Sequence, residues 1–407
     1  MIELAAHVPA GAGIWWGQGS AEPTPLVHAL LDQMDTLGPH RAFCGITWDA
    51  RLTRELPAQL SLTSYAALGD LRRLSQQGRL TIVPCHYSAL PRLFAERLLP
   101  SEVGMVQVSP PDGDGMCSLG TGADYAADAV RHTTVLLAEI NRRMPATSGT
   151  ERIPIGRFAA TIETDRPLAE APVRAVDDVE RAIAANVAEL IADGDTIQLG
   201  VGALPSAVAE QLTGHRDLGC HSGTITDAVL RLIDSGVLTG ARKEIDTGVV
   251  VTGSALGTAA LYDRLPALPV AFRPASYTHA PAVLAQLRSL VAINSAVEVD
   301  LAGQVGAETR RGSYVGGVGG QVDFSRAAAL TGARSIITLR SRSGTRSTIV
   351  PRLPDGVVTT GRADVDFVVT EYGAASLRGC DLTGRADRLI AVAAPEQRDW
   401  LRASTRS

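Results

Sequence analysis

The chain has 407 residues, more than one hydrophobic core sustains, so two domains of roughly 200 residues each are expected. With 45% apolar residues, 40 glycines and only 4% aromatics it reads as an α/β protein with small-residue turns, not a disordered chain. A net charge of -5 without runs of like charge gives no footprint for nucleic acid or a membrane surface, and no apolar segment approaches the roughly 20 residues of a spanning helix.

In chain order, short apolar runs rich in β-branched residues alternate with helical periodicity, the pattern of βα units and parallel sheet. Residues 26–34 predict a helix, and 80–83, 105–109 and 134–140 predict buried strands. Periodicity weakens over 144–172 while Pro, Thr, Ser and Gly accumulate, which sets the expected domains at 1–175 and 176–407. Asp177 then offers an N-cap with Glu180 three positions on, ahead of Val179, Ile183, Val187, Leu190 and Ile191 at helical spacing; Gly194 is expected to stop that helix. A strand over 196–199, a glycine turn and a helix from near Ser206 follow, with further strands over 249–252, 290–293, 335–339 and 366–370.

Two glycine turns carry candidate chemistry. Gly200-Val201-Gly202-Ala203-Leu204-Pro205 lies between a strand and a helix start, where backbone N–H groups and the helix dipole hold a phosphate or an oxyanion, or where the glycines simply make a tight turn. Pro205 stands where a dinucleotide fingerprint needs its third glycine, so that reading is set aside. The second turn places Gly316, Gly317, Gly319 and Gly320 before Gln321-Val-Asp-Phe324 and reads as a rigid backbone cradle more than a flexible hairpin. Asn294 and Ser295 close a strand, a common place for binding groups. The arginine-rich stretch 340–346 is either a source of cations for phosphates or a solvated surface.

The cysteines, Cys44, Cys85, Cys117, Cys220 and Cys380, are odd in number and scattered, which predicts reduced thiols and no metal site. Lys243 is the only lysine, and its Gly-Ala-Arg-Lys-Glu setting predicts an exposed turn, so Schiff-base chemistry is nearly excluded. Residues 1–11 place no basic residue ahead of their apolar stretch, so an untargeted, soluble, cytoplasmic chain is expected.

In order and spacing, Gly200-Val-Gly-Ala-Leu-Pro205, Leu218-Gly-Cys-His221, Ala292-Ile-Asn-Ser295, Val299-Asp-Leu-Ala-Gly-Gln-Val305, Gly317-Val-Gly-Gly-Gln321, Ile349-Val-Pro351 and Val368-Val-Thr-Glu-Tyr-Gly373 resemble the acetyl-CoA hydrolase/transferase family, especially its 4-hydroxybutyrate CoA-transferase branch; Cys117-Ser-Leu-Gly120 extends the resemblance into the first half. The resemblance implies two open α/β/α domains with mainly parallel sheets, an active site in the interdomain cleft and a homodimer. It further implies that coenzyme A is held by Gly200, Val201, Gly202, Ala203 and Leu204, by the region of Val297, and by Gly319 and Gly320, with an acyl-CoA and an acyl acceptor as small-molecule partners.

In that family a glutamate attacks the thioester and becomes a glutamyl-CoA thioester, which a second acid collects. The matching stretch here is His221-Ser222-Gly223, and the glutamate is absent. An enzyme that cleaves or transfers an acyl group without that intermediate is therefore expected, with room opened at Gly223 for another nucleophile. His221, Ser222 and Asp227 are candidates to activate or position it, and Cys220 is expected to be a buried inert thiol. Two alternatives stay open. A carboxylate could be relocated, with Glu298, Glu308 and Glu371 as candidates, or the protein could bind acyl-CoA without catalysis, since Gly257-Thr-Ala-Ala-Leu-Tyr262 has alanines where relatives often have basic residues. Trp15, Trp16, His86 and Tyr87 either line a substrate pocket or pack.

Overall fold

Strands form where apolar runs can be covered on both faces, and a computed structural model, which describes residues 2–172 and 174–405, places them in two units. One unit comprises Met1–Ala171, Val251–Thr278 and Tyr314–Gly316; the other comprises Pro172–Val250, His279–Ser313 and Gly317–Ser407.

The first unit holds strands β1 (Gly13–Trp16), β2 (His40–Phe43), β3 (Leu60–Ser64), β4 (Leu80–Ile82), β5 (Val103–Val108), β6 (Val135–Asn141) and β7 (Ala160–Thr164). They lie in the order β4-β3-β2-β1-β5-β6-β7, every neighbouring pair parallel. Central β1 and β5 are buried throughout, so their apolar runs are unbroken. The expected buried strand at 80–83 is corrected: β4 is an edge strand and is only partly covered. At the other edge β7 alternates half-buried and exposed residues, and it falls in the stretch of weak periodicity.

Successive residues of a strand face opposite sides, and β1 shows the consequence. Trp16 joins the core under helix Thr24–Leu37, whose Leu26, Val27, Leu30 and Met34 recur at helical spacing. Trp15 enters the opposite core and meets Phe94 and Tyr125 edge-on at 5.9 and 6.4 Å. Both tryptophans are packing residues.

The second unit holds β8 (Thr196–Leu199), β9 (Gly219–Ile225), β10 (Leu290–Ser295), β11 (Arg334–Thr338), β12 (Phe367–Thr370) and β13 (Gly373–Ser376). These run in the order β9-β8-β10-β11-β12-β13, parallel except for the last pair. Asp177 and Glu180 form the expected capping box on helix Asp178–Ala188. That helix ends before Gly194, whose φ of +86° belongs to the turn leading into β8. The helix after β8 is Ala203–Gln211, starting ahead of Ser206, and Gln321–Thr331 after the second glycine turn is also helical. Gly223 lies within β9, which pairs with β8 at Gly219 and Cys220. Among the described residues no helix is long and apolar enough to cross a membrane.

Candidate active site

The chain leaves β8 toward β9 on one side, whereas β10 pairs with β8 on the other, so the strand order reverses between β8 and β10. The carboxyl ends of strands at such a reversal leave a crevice for ligands. Here Gln198 and Asn294 tie the two strands together through amide hydrogen bonds of 3.1 and 3.4 Å. Beyond them opens a crevice of about 360 Å³ whose walls include Leu204, Ser295, Val297, Arg310, Arg340 and Arg342.

Of the glycine turn and the helix start after it, Leu204 lines the crevice. Gly202 has φ +127°, a conformation that side chains rarely adopt, and no heavy atom lies within 4 Å of where its Cβ would be. Backbone conformation, not crowding, therefore calls for glycine there. The turn delivers the first N–H groups of helix Ala203–Gln211 at its positive end, beside the half-exposed Val201. The cationic side is set by Arg340, which forms ion pairs with Asp177 and, at 3.4 Å, with Glu180. One carboxylate thus caps a helix and orients a guanidinium. Arg342 reaches Glu396 at 3.1 Å and remains half-exposed.

Gly223 and Gly320 meet at a histidine. A Cβ on Gly223 would fall 2.8 Å from both Cε1 and Nε2 of His279, and one on Gly320 would fall 2.5 Å from the same Nε2. The buried His279 ring therefore lies against two bare backbones, with Phe324 edge-on at 5.1 Å and 65°. The expectation that the missing side chain leaves open room is corrected: the imidazole occupies that space. Burial, and secondly the neighbouring His221, holds the His279 pKa down at about 3, so the ring is neutral at physiological pH. His279 went unnoticed in the sequence because it lies far from Gly223 along the chain and in no periodic pattern.

His221 and Ser222 are fully buried in β9, and the Ser222 hydroxyl donates to the Leu199 carbonyl at 2.9 Å, stitching β9 to β8. Cys220 is buried and its thiol is pushed up to about 12 by desolvation, which makes it inert. Lys243 is not in an exposed turn: it is buried beneath β9, donating from Nζ to the carbonyls of Cys220 at 3.1 Å and Val249 at 2.6 Å, and desolvation lowers its pKa. Asp227, partly exposed, begins helix Asp227–Asp234.

The structure thus brings Leu204 and Val297 together in the crevice, and Gly223 and Gly320 together around His279. Gly319, at φ +53°, supplies the turn that presents Gly320. Of the alternative carboxylates, Glu371 accepts from the Ser341 amide at 2.9 Å and hydroxyl at 2.7 Å, and Glu308 is buried against Thr359 at 3.0 Å. Burial raises the pKa of the half-exposed Glu298. In the first unit Tyr87 is buried and accepts from Gln18 at 2.9 Å, and His86 is exposed.

Known proteins give the same outline. Residues 1–177 match the acetyl-CoA hydrolase/transferase N-terminal domain and residues 257–405 its C-terminal domain. The chain is 38% identical over 387 residues to a 4-hydroxybutyrate coenzyme A transferase of Clostridium kluyveri, covering 93% of this chain and 90% of that one. Among solved structures, RipA from Yersinia pestis superposes with a TM-score of 0.92 at 35% identity, covering 98% of this chain and 94% of that one. A 4-hydroxybutyrate CoA-transferase from Porphyromonas gingivalis superposes with a TM-score of 0.84 at 34% identity, covering 99% and 95%.

Proposed function

Because this chain belongs to the acetyl-CoA hydrolase/transferase family, we propose that it cleaves or transfers the acyl group of a coenzyme A thioester without a glutamyl-CoA intermediate. That it is an enzyme acting on acyl-CoA follows from the family; the route is the proposal. The observation carrying the route is the packing of the His279 ring against Gly223 and Gly320, which leaves no carboxylate and no space for one at that point of β9.

Coenzyme A lies in the crevice beside Leu204 and Val297, its phosphates facing Arg340 and Arg342, whose guanidiniums suit charge-assisted contacts. The amides of Gly200, Val201, Gly202, Ala203 and Leu204, and those of Gly319 and Gly320, are aimed at phosphate or at the thioester oxygen as its charge grows. Water attacks the thioester carbon and, as the carbon–sulfur bond breaks, its proton passes to the departing sulfur, giving the acid and free coenzyme A. With an acceptor acid its carboxylate attacks instead, and the thiolate leaves a mixed anhydride; that thiolate then attacks the acceptor's carbonyl carbon, forming the new thioester and expelling the original acid as its carboxylate. With a pKa of about 3, His279 is too weak a base to hold the proton released, so it orients the cradle and Asp227 positions the nucleophile. His221 and Ser222 hold β9 in register beneath. A carboxylic acid as acceptor is proposed by likeness to the transferases, and a cytoplasmic homodimer completes the reading.

The test is incubation with short acyl-CoAs, with and without acceptor acids, following thiol release, acyl exchange and intact protein mass. Turnover with no covalent coenzyme A adduct is expected. An adduct on any carboxylate would overturn the route, and no turnover with any acyl-CoA would overturn the catalytic reading in favour of a binding protein.

A further inference from the structure

We propose that the first unit carries a separate binding site for an aliphatic carboxylate, in the cavity walled by Arg157, Arg273, Tyr277 and Ile153. The cavity measures about 550 Å³, within the range of pockets that enclose small organic ligands, and every lining residue belongs to the first unit.

Charge points to an anion. Four arginines and one acidic residue, Glu151, line the space. Arg131 is matched by Asp128 at 3.6 Å and Glu151 at 3.5 Å, and Arg152 pairs with Asp112. Arg157 and Arg273 have no carboxylate partner among the described residues and bond only to backbone: Arg157 to the carbonyls of Thr133 and Thr134, Arg273 from Nη1 to Gly149 at 2.7 Å. Two guanidinium charges in one concave wall thus lack a counter-charge, and a bound anion supplies it.

Arg273 is also held in place. Its guanidinium lies 5.2 Å from the Tyr277 ring centre, a cation–π arrangement, while Gly149 fixes Nη1. Its Nε is buried and makes no hydrogen bond, so a small turn of the guanidinium toward a carboxylate leaves no existing Nε bond behind. The rest of the wall is hydrocarbon, from Leu119, Ala127, Val130, Ile153 and Pro154. A cationic end and an apolar side select an acid with an aliphatic body over inorganic phosphate, which has nothing to place against the hydrocarbon.

Hexanoate is the probe, titrated into the full-length protein with the Ile153 methyl signal as the local reporter; hexan-1-ol and inorganic phosphate are the comparisons. Saturable hexanoate binding that shifts Ile153 is expected, with hexanol and phosphate each at least about tenfold weaker. Arg273→Met and, independently, Arg157→Met should each weaken hexanoate at least about tenfold, and one folded variant suffices to decide. The site is overturned if hexanoate leaves Ile153 unmoved, if phosphate binds as tightly, or if a folded variant binds hexanoate as well as the parent. Loss of this site would leave the acyl-CoA reading untouched, since none of these residues lines the crevice at Leu204.

Discussion

The His279 imidazole stands where a Gly223 side chain would begin, with Cε1 and Nε2 each 2.8 Å from the Cβ that glycine lacks. Real Cβ atoms do not come so close, so residue 223 and the ring are sterically coupled, and Gly320 presses on the same ring from its own strand-to-helix turn.

Gly223→Glu by itself should not restore a covalent transferase. The new side chain must displace a buried ring, an overpacking cost of about 1–3 kcal/mol. A lower melting temperature and no coenzyme A adduct by intact mass are expected. Gly223→Glu combined with His279→Gly should recover part of the stability. A single variant that melts like the parent and forms the adduct would show that the ring moves freely.

Glycine is required at Gly320 and Gly202 for different reasons, and a double-mutant cycle separates them. Gly320→Ala collides with His279, whereas Gly202→Ala meets no neighbour and is strained by its φ of +127°. Each should cost about 1–2 kcal/mol in the parent. In a His279→Ala background the Gly320→Ala cost should largely vanish and the Gly202→Ala cost should persist. Equal coupling to His279 in denaturant melts would refute the distinction.

Arg340→Ala tests the cationic wall. Its pairs with Asp177 and Glu180 are partly exposed, so stability should change by no more than about 1 kcal/mol. If the guanidinium faces a coenzyme A phosphate, KM for acyl-CoA should rise about tenfold with kcat nearly unchanged, and the difference should shrink at high salt. An unaltered KM would remove Arg340 from the binding surface.

Stability should fall as pH rises from about 4.5 to about 8 because of Glu22. Burial raises this carboxyl from 4.5 to about 8 against the hydrogen bonds from Thr47, with the Asp49 charge adding to the rise. Between those values the folded protein keeps the proton and the unfolded chain has lost it, so unfolding gains with pH. His279 acts oppositely: its pKa is depressed from 6.5 to about 3, so stability falls as pH drops through that interval. Glu22→Gln should flatten the alkaline loss, seen as melting temperatures at pH 6 and 8 that differ less than in the parent. An unchanged difference would exclude Glu22 as its source.

Much of the frame was legible because local rules and tertiary demands agree. Asp177 with Glu180 announces a capped helix, and the runs 196–199, 290–293 and 335–339 are strands because their apolar residues are buried on both faces. The edge strands were less legible: β4 and β7 face solvent on part of their surface and carry weak patterns. Lys243 misled in the same way, since its flanking residues suit an exposed turn while two backbone carbonyls hold its ammonium beneath β9.

The sequence alone determined the family, the glycine turn after β8, and the absence of a carboxylate at Gly223, because these are matters of residue identity and spacing along one segment. Only the tertiary structure decided what fills that position. His279 and Gly320 are remote from Gly223 in the chain, and the side chain that closes the gap is selected by packing in three dimensions, which no local periodicity encodes.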